Sequence, residues 1–153
     1  MNIPSKDDWG EIDQNDLDAQ WAFKQFFGKS LEEADRMSEE NALNYQEDLE
    51  SMPTTAFNFY APPLANYLIS ERAAGDADGA SSFLRMVIWM FKERSEVIYD
   101  EIRELLLRAS EHVANRQAFY EADSSIYGEF PELYEEIIAS NKNAPDNRLK
   151  GDA

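Results

Sequence analysis

One histidine, His112, stands in a chain of 153 residues that has no cysteine. Thiol nucleophiles, CxxC redox pairs, Cys-ligated zinc and iron–sulfur clusters are therefore excluded, as are multi-histidine metal sites of the HExxH kind. His112 lies between Glu111 and Val113, with Arg108 and Arg116 one helical turn away on either side. Two cations at that spacing disfavour a bound metal. A general-base role would also need an orienting carboxylate and a nucleophile, and no pattern in the sequence supplies them. His112 reads as a surface or half-buried helix residue.

Carboxylates are the other groups with chemistry to offer. Glu47/Glu50, Glu101/Glu104 and Glu132/Glu135 each place two acids three residues apart, on one face of a helix. Oxygen ligands suit a hard cation, and paired ExxE and ExxD motifs on neighbouring helices hold magnesium in all-α nucleotide pyrophosphohydrolases. That arrangement requires a second pair on a later helix. After Glu101/Glu104 the later stretch offers Glu121, with Ser124 where the second acid should be. Di-iron carboxylate bundles need two Glu-x-x-His motifs, and the sequence has none. Asp76-Ala77-Asp78-Gly79 has the look of a calcium loop, but its glycine comes too early and Val87 occupies the place of the bidentate glutamate. It reads instead as a turn and the cap of the next helix. No GxGxxG, Walker or GxSxG pattern occurs. Among 31 acidic residues such pairs arise by chance, so no catalytic residue, metal or cofactor is assigned.

The elements that must position these groups are helical. Asn15 to Phe27 forms a first helix stopped by Gly28, though Leu17, Trp21 and Phe27 do not complete its apolar stripe. Ser30-Leu31-Glu32-Glu33 is a capping box that opens a second helix, whose apolar positions run from Leu31 to Met52 before Pro53. Its other face is acidic, with Glu32, Asp35, Glu39, Glu40, Glu47 and Glu50. Pro53-Thr54-Thr55 reads as a turn. Pro62 and Pro63 discourage a long helix through the aromatic run Phe57-Asn58-Phe59-Tyr60, so a short helix is expected from Pro63 to about Ala74. Phe57, Phe59, Tyr60 and Tyr67 fit a core junction better than a ligand pocket. The run Phe83 to Phe91 leaves almost no polar face and should be the buried centre. A break follows near Lys92–Ser95, with Ser95 capping an amphipathic helix through Ile98, Ile102, Leu105, Leu106, Ala109 and Val113. A last helix begins at Phe130-Pro131, with proline in its first turn. The expected architecture is all-α, an irregular single-domain bundle of about six helices over residues 1–140, with a polar, disordered tail at 141–153.

The segment Ala56-Phe57-Asn58-Phe59-Tyr60-Ala61-Pro62, followed by Tyr67-Leu68, resembles an A-F-x-[YF]-Y-x-P run in small bacterial helical proteins of no assigned activity. Tyr45-Gln46-Glu47-Asp48-Leu49 is similar to part of some of them. The resemblance covers about the middle third of the chain. It implies a bacterial source and a helical fold, and it transfers no functional residue.

Charge carries the functional expectation. Lys and Arg number 14 against 31 Asp and Glu, a formal net charge of −17, while 43% hydrophobic residues are too many for a disordered acidic polymer. Direct binding to nucleic acid or to an anionic membrane is disfavoured by repulsion. The N-terminus lacks the layout of a signal peptide, which points to the cytoplasm. A basic protein would be attracted, above all a toxin nuclease whose own substrate is polyanionic. The leading expectation is a non-enzymatic protein-binding module, inhibitor-like or immunity-like. Glu39, Glu40, Glu47 and Glu50 would meet the partner's cations, and Tyr45 or Trp9 would serve as aromatic anchors. Trp9 would otherwise pin a loose N-terminal arm to the body. Two alternatives stand beside this reading: a magnesium-dependent nucleotide hydrolase using Glu101 and Glu104, and a homo-oligomeric structural protein. Acidity that serves only solubility explains the charge equally well.

Overall fold

The computed structural model describes residues 1–144, and these are all-helical, with no strand among them. Seven helices of nine or more residues follow in order: α2 (Leu17–Phe26), α3 (Leu31–Glu40), α4 (Ala42–Glu50), α5 (Thr54–Ile69), α6 (Ala77–Glu93), α7 (Asp100–Ala114) and α9 (Phe130–Asn143). Two four-residue turns of helix, α1 (Lys6–Trp9) and α8 (Ser124–Tyr127), and two 3-10 turns, Glu71–Ala73 and Ser95–Val97, complete the path. The part of the expected tail beyond residue 144 lies outside the described residues, and Asn141–Asn143 belong to α9 rather than to a tail.

Local signals set several boundaries. Ser30 accepts from the Glu33 amide while the Glu33 carboxylate accepts from the Ser30 amide, so both partners of the capping box are made. Proline occupies the first turn of α9, where its missing N–H costs no helical bond. Asp76 caps α6 through the Gly79 amide. At Gly79 a Cβ would approach the Ala42 Cβ to 2.9 Å, which is how closely the starts of α4 and α6 meet.

The helices of the described residues outnumber the six or so expected, and three further expectations are corrected. The acidic helix from Leu31 to Met52 is two helices, because Asn41 ends α3 and its side chain then accepts from the Asn44 amide to cap α4. Pro62 and Pro63 lie inside α5 rather than ahead of it. A helix with internal prolines leaves the carbonyls four residues earlier, Asn58 and Phe59, without their usual donors. The compensation is burial: Ala56 to Ala61, Pro63 to Ala65, Tyr67 and Leu68 are all buried. Ser95 does not cap α7. It opens a 3-10 turn, and its hydroxyl and carbonyl both accept from Arg103, at 2.7 and 3.0 Å.

α4 and α7 each pack against both α5 and α6, α3 lies on α5, and α9 closes the far side of α6. One continuous apolar core results, from Trp9 to Ile137. Buried polar groups within it are used at helix ends. The Tyr120 hydroxyl donates to the Leu68 carbonyl at 2.6 Å, near the end of α5 where helical donors run out. The Tyr60 hydroxyl lies 2.9 and 2.8 Å from the carbonyls of Phe26 and Lys29 at the end of α2. Asn58 donates to the carbonyls of Thr54 and Val97 and accepts from the Tyr99 amide, so α5 clamps the turn between α6 and α7. No described helix is long and apolar enough to cross a membrane.

Candidate functional site: an acidic trough

On α4 the residues Ala42, Tyr45, Gln46 and Leu49 face the core. Helical spacing then turns Asn44, Glu47 and Asp48 outward. On α2 the buried residues are Ala22 and Phe26, which leaves Leu17, Asp18 and Trp21 outside. α2 packs on α4, so the two outward faces border a shared depression. It has two hollows that meet at Asp18, Glu50 and Ser51. The smaller, about 400 Å³, is walled by Asp18, Trp21, Asn44, Glu47, Asp48 and Glu50. The larger, about 670 Å³, continues past Ile12, Asp13, Asp16, Met52, Pro53, Trp89 and Arg94.

The acids in this trough form no ion pair among the described residues. Five acids outside it are in ion pairs, Glu33 with Lys29, Asp35 and Glu39 with Arg72, Glu136 with Lys92, and Glu71 with Arg116, while others such as Glu101, Glu104, Glu132 and Glu135 stand separately at the surface. Among the described residues no such ion pair involves Asp13, Asp16, Asp18, Glu47, Asp48 or Glu50. The one cation in the wall, Arg94, donates to the Glu50 main-chain carbonyl at 2.8 Å instead. Burial, together with the neighbouring charges of Glu47 and Asp18, pushes the Asp48 carboxyl up to about 6. Burial likewise raises the Glu50 carboxyl, with Glu47 adding to the effect.

Large apolar side chains remain exposed at the rim. Trp21 is 52% exposed, Trp89 40% and Leu17 73%. The Lys24 ammonium sits 5.4 Å from the Trp21 ring centroid, so this indole face already receives a cation.

The residues expected to bind a partner divide. Glu47 and Glu50 line the trough. Glu39 is engaged by Arg72 at 3.6 Å, and Glu40, at the end of α3, is exposed but outside the trough walls. Tyr45 and Trp9 are not surface anchors, because they are only 2% and 3% exposed. The Tyr45 hydroxyl donates to the Tyr60 carbonyl at 2.6 Å, and its ring meets Phe26 edge to face. Trp9 packs edge to face on Phe23 and against Tyr60, pinning the N-terminal arm. Phe57, Phe59, Tyr60 and Tyr67 are core residues, as expected.

The site residues that sequence reasoning missed are Asp18, Trp21, Asp48 and Trp89. One signal was present: Leu17, Trp21 and Phe27, the positions that spoil the α2 stripe, are the ones left exposed. Trp89 carried no such signal, since apolar residues surround it in the sequence. It emerges beside Arg85 on the single outward strip of α6.

The other chemical candidates stay apart. Glu101 and Glu104 are exposed on α7, and no group of three or more metal-ligating side chains is assembled among the described residues. His112 is partly buried, with its Nε2 3.1 Å from the Arg116 guanidinium. No protein-family model, curated protein or solved structure gives a significant match to this chain.

Proposed function

We propose that this chain is a non-enzymatic, cytoplasmic protein-binding module that engages a basic partner protein through the trough between α2 and α4, in the manner of an inhibitor or immunity protein. The observation that carries the proposal is the set of carboxylates Asp18, Glu47, Asp48 and Glu50, none of them in an ion pair among the described residues, held beside exposed indoles. Unpaired acids packed side by side repel one another, and a partner's Lys and Arg would relieve that repulsion. The indoles supply the apolar area that charge pairs alone do not, because exposed ion pairs contribute little affinity. A nuclease is a suitable partner class, since a surface built for a polyanionic backbone is basic. Neither nucleic acid nor an anionic membrane would be attracted to a chain of net charge −17.

Affinity capture from native lysate at low and then moderate salt tests the proposal. The tagged chain should retain a basic protein in stoichiometric amount. The variant Asp18→Asn/Glu47→Gln/Asp48→Asn/Glu50→Gln should lose at least about tenfold in affinity for that protein, equivalent to about 1.4 kcal/mol. Glu39→Gln/Glu40→Gln, on α3, should stay within about twofold of the unmodified chain, since exposed charges outside a contact contribute little. Equal retention by both variants, or no retained protein, would overturn the proposal.

A further inference from the structure

The two hollows of the trough differ in character, and the difference specifies what fills them. The smaller contains only acids among its charged residues, Asp18, Glu47, Asp48 and Glu50. The larger holds Ile12, Met52, Pro53 and the exposed Trp89 together with the cation Arg94. A cationic group is drawn to the first and is opposed near Arg94 in the second, whereas an apolar side chain finds a surface only in the second. Trp9 also lines the larger hollow. It is 3% exposed, and its indole N–H has no hydrogen-bond partner.

Building on the proposed binding function, we infer that the occupant of the trough is a linear segment of the partner chain. It carries an apolar residue in the hollow beside Trp89 and, further along, Lys or Arg in the hollow formed by Asp18, Glu47 and Asp48. A concave trough accepts a ridge or an extended strand of polypeptide more completely than a flat surface does, and the two hollows meet at Asp18, Glu50 and Ser51, so one continuous segment can cross from one to the other. The charged groups that act on Asp48 are Glu47 on its own helix and Asp18 on α2; Glu50 walls the same hollow, and Lys24 on α2 stands over the Trp21 ring rather than in its lining. Association therefore strengthens as pH rises from 5 to 7 and Asp48 loses its proton.

A capped, tryptophan-free peptide of about ten residues, with one Phe followed by two or three Lys, is the probe. Its extended span, about 3.3 Å per residue, is enough to reach across both hollows. Titration into the full chain, followed by the emission of Trp21 and Trp89 and by calorimetry, should show saturable one-to-one binding. Replacing the peptide's Phe by Gly should weaken binding by about tenfold, the cost of one buried aromatic contact. Asp18→Asn/Asp48→Asn should weaken it by a similar factor, whereas Glu132→Gln/Glu135→Gln removes equal charge from exposed α9 positions and should change it by less than about twofold. Equal weakening by the two acid pairs would reduce the effect to diffuse charge and overturn the inference. So would a polyamine, or the Phe-free peptide, binding as tightly as the probe. Failure of every peptide alongside successful, trough-dependent capture of a partner would overturn the linear segment alone, leaving a folded surface as the occupant and the binding function intact.

Discussion

The core and the trough treat their polar groups in opposite ways. Around α5, the buried hydroxyls of Tyr45, Tyr60 and Tyr120 and both ends of the Asn58 amide all meet main-chain partners. Between α2 and α4, acids stand beside acids, and the only nearby guanidinium is turned to a carbonyl. Satisfied polar groups specify one packing arrangement, while unsatisfied charges raise the free energy of the folded chain. The molecule thus satisfies the polar groups of one region and leaves like charges facing one another in a second. A chain whose acidity served only to keep it dissolved would gain nothing by gathering carboxylates into a depression where burial raises their protonation.

The largest effect is expected where the core is most fully satisfied. Asn58→Ala strands the Val97 carbonyl and the Tyr99 amide, and should destabilise the fold by roughly 3–4 kcal/mol in chemical denaturation, at about 1–3 kcal/mol for each buried group left without a partner. A loss below 1 kcal/mol would show that the clamp between α5 and the α6–α7 turn is not part of the satisfied core.

Trp9 belongs to both regions, being buried against Phe23 and Tyr60 while its N–H stays unpaired. Trp9→Ala should cost roughly 3 kcal/mol through the space it leaves. Trp9→Phe should cost less than about 1.5 kcal/mol, because the lost volume is partly offset by removal of an unsatisfied donor. Thermal unfolding of the two variants side by side checks this. Equal losses would mean that the full volume of the indole, which a phenyl ring does not fill, holds the arm.

The smallest effect has the opposite sign. The Asp48 carboxyl at about 6 lies above its ordinary value of 3.8, so the folded chain holds that proton more tightly than the unfolded chain does. Its contribution is favourable while the group is protonated and is lost as pH rises from about 4 to about 6, leaving the ionised carboxylate as a cost at neutral pH. Asp48→Asn should therefore stabilise the chain at pH 7 by about 1 kcal/mol, a figure reduced for solvent screening of a half-exposed group. The gain should fall towards zero by pH 4, as measured by denaturation at both pH values. A destabilised Asp48→Asn at pH 7 would place Asp48 with the satisfied groups and remove the contrast between the two regions.

Much of the fold is legible in the residues themselves, and the trough hardly at all. The Ser30 box, the proline at the start of α9 and the break before Ser95 depend on neighbours a few positions away, so the sequence displays them directly. Asn41 is legible only in hindsight, because a single polar residue within a helical pattern signals a corner no more strongly than it signals an exposed site. Pro62 and Pro63 point the wrong way: local backbone preference argues against helix there, and burial on nearly every side of α5 overrides it. Asp18 and Asp48 are thirty positions apart and become neighbours only through the packing of α2 on α4. The same holds for Tyr45 and Trp9, whose burial depends on Phe23, Phe26 and Tyr60 arriving from other elements.

The corner at Asn41 has a consequence of its own. Without it, the acids from Asp35 to Glu50 would lie along one continuous cylinder and share whatever cations faced it. The turn sends Asp35 and Glu39 to Arg72 and directs Glu47, Asp48 and Glu50 elsewhere. One residue thereby divides a single acidic stretch into a set tied down by an arginine and a set that faces other acids, so a charge change in one is not felt through a shared cation by the other.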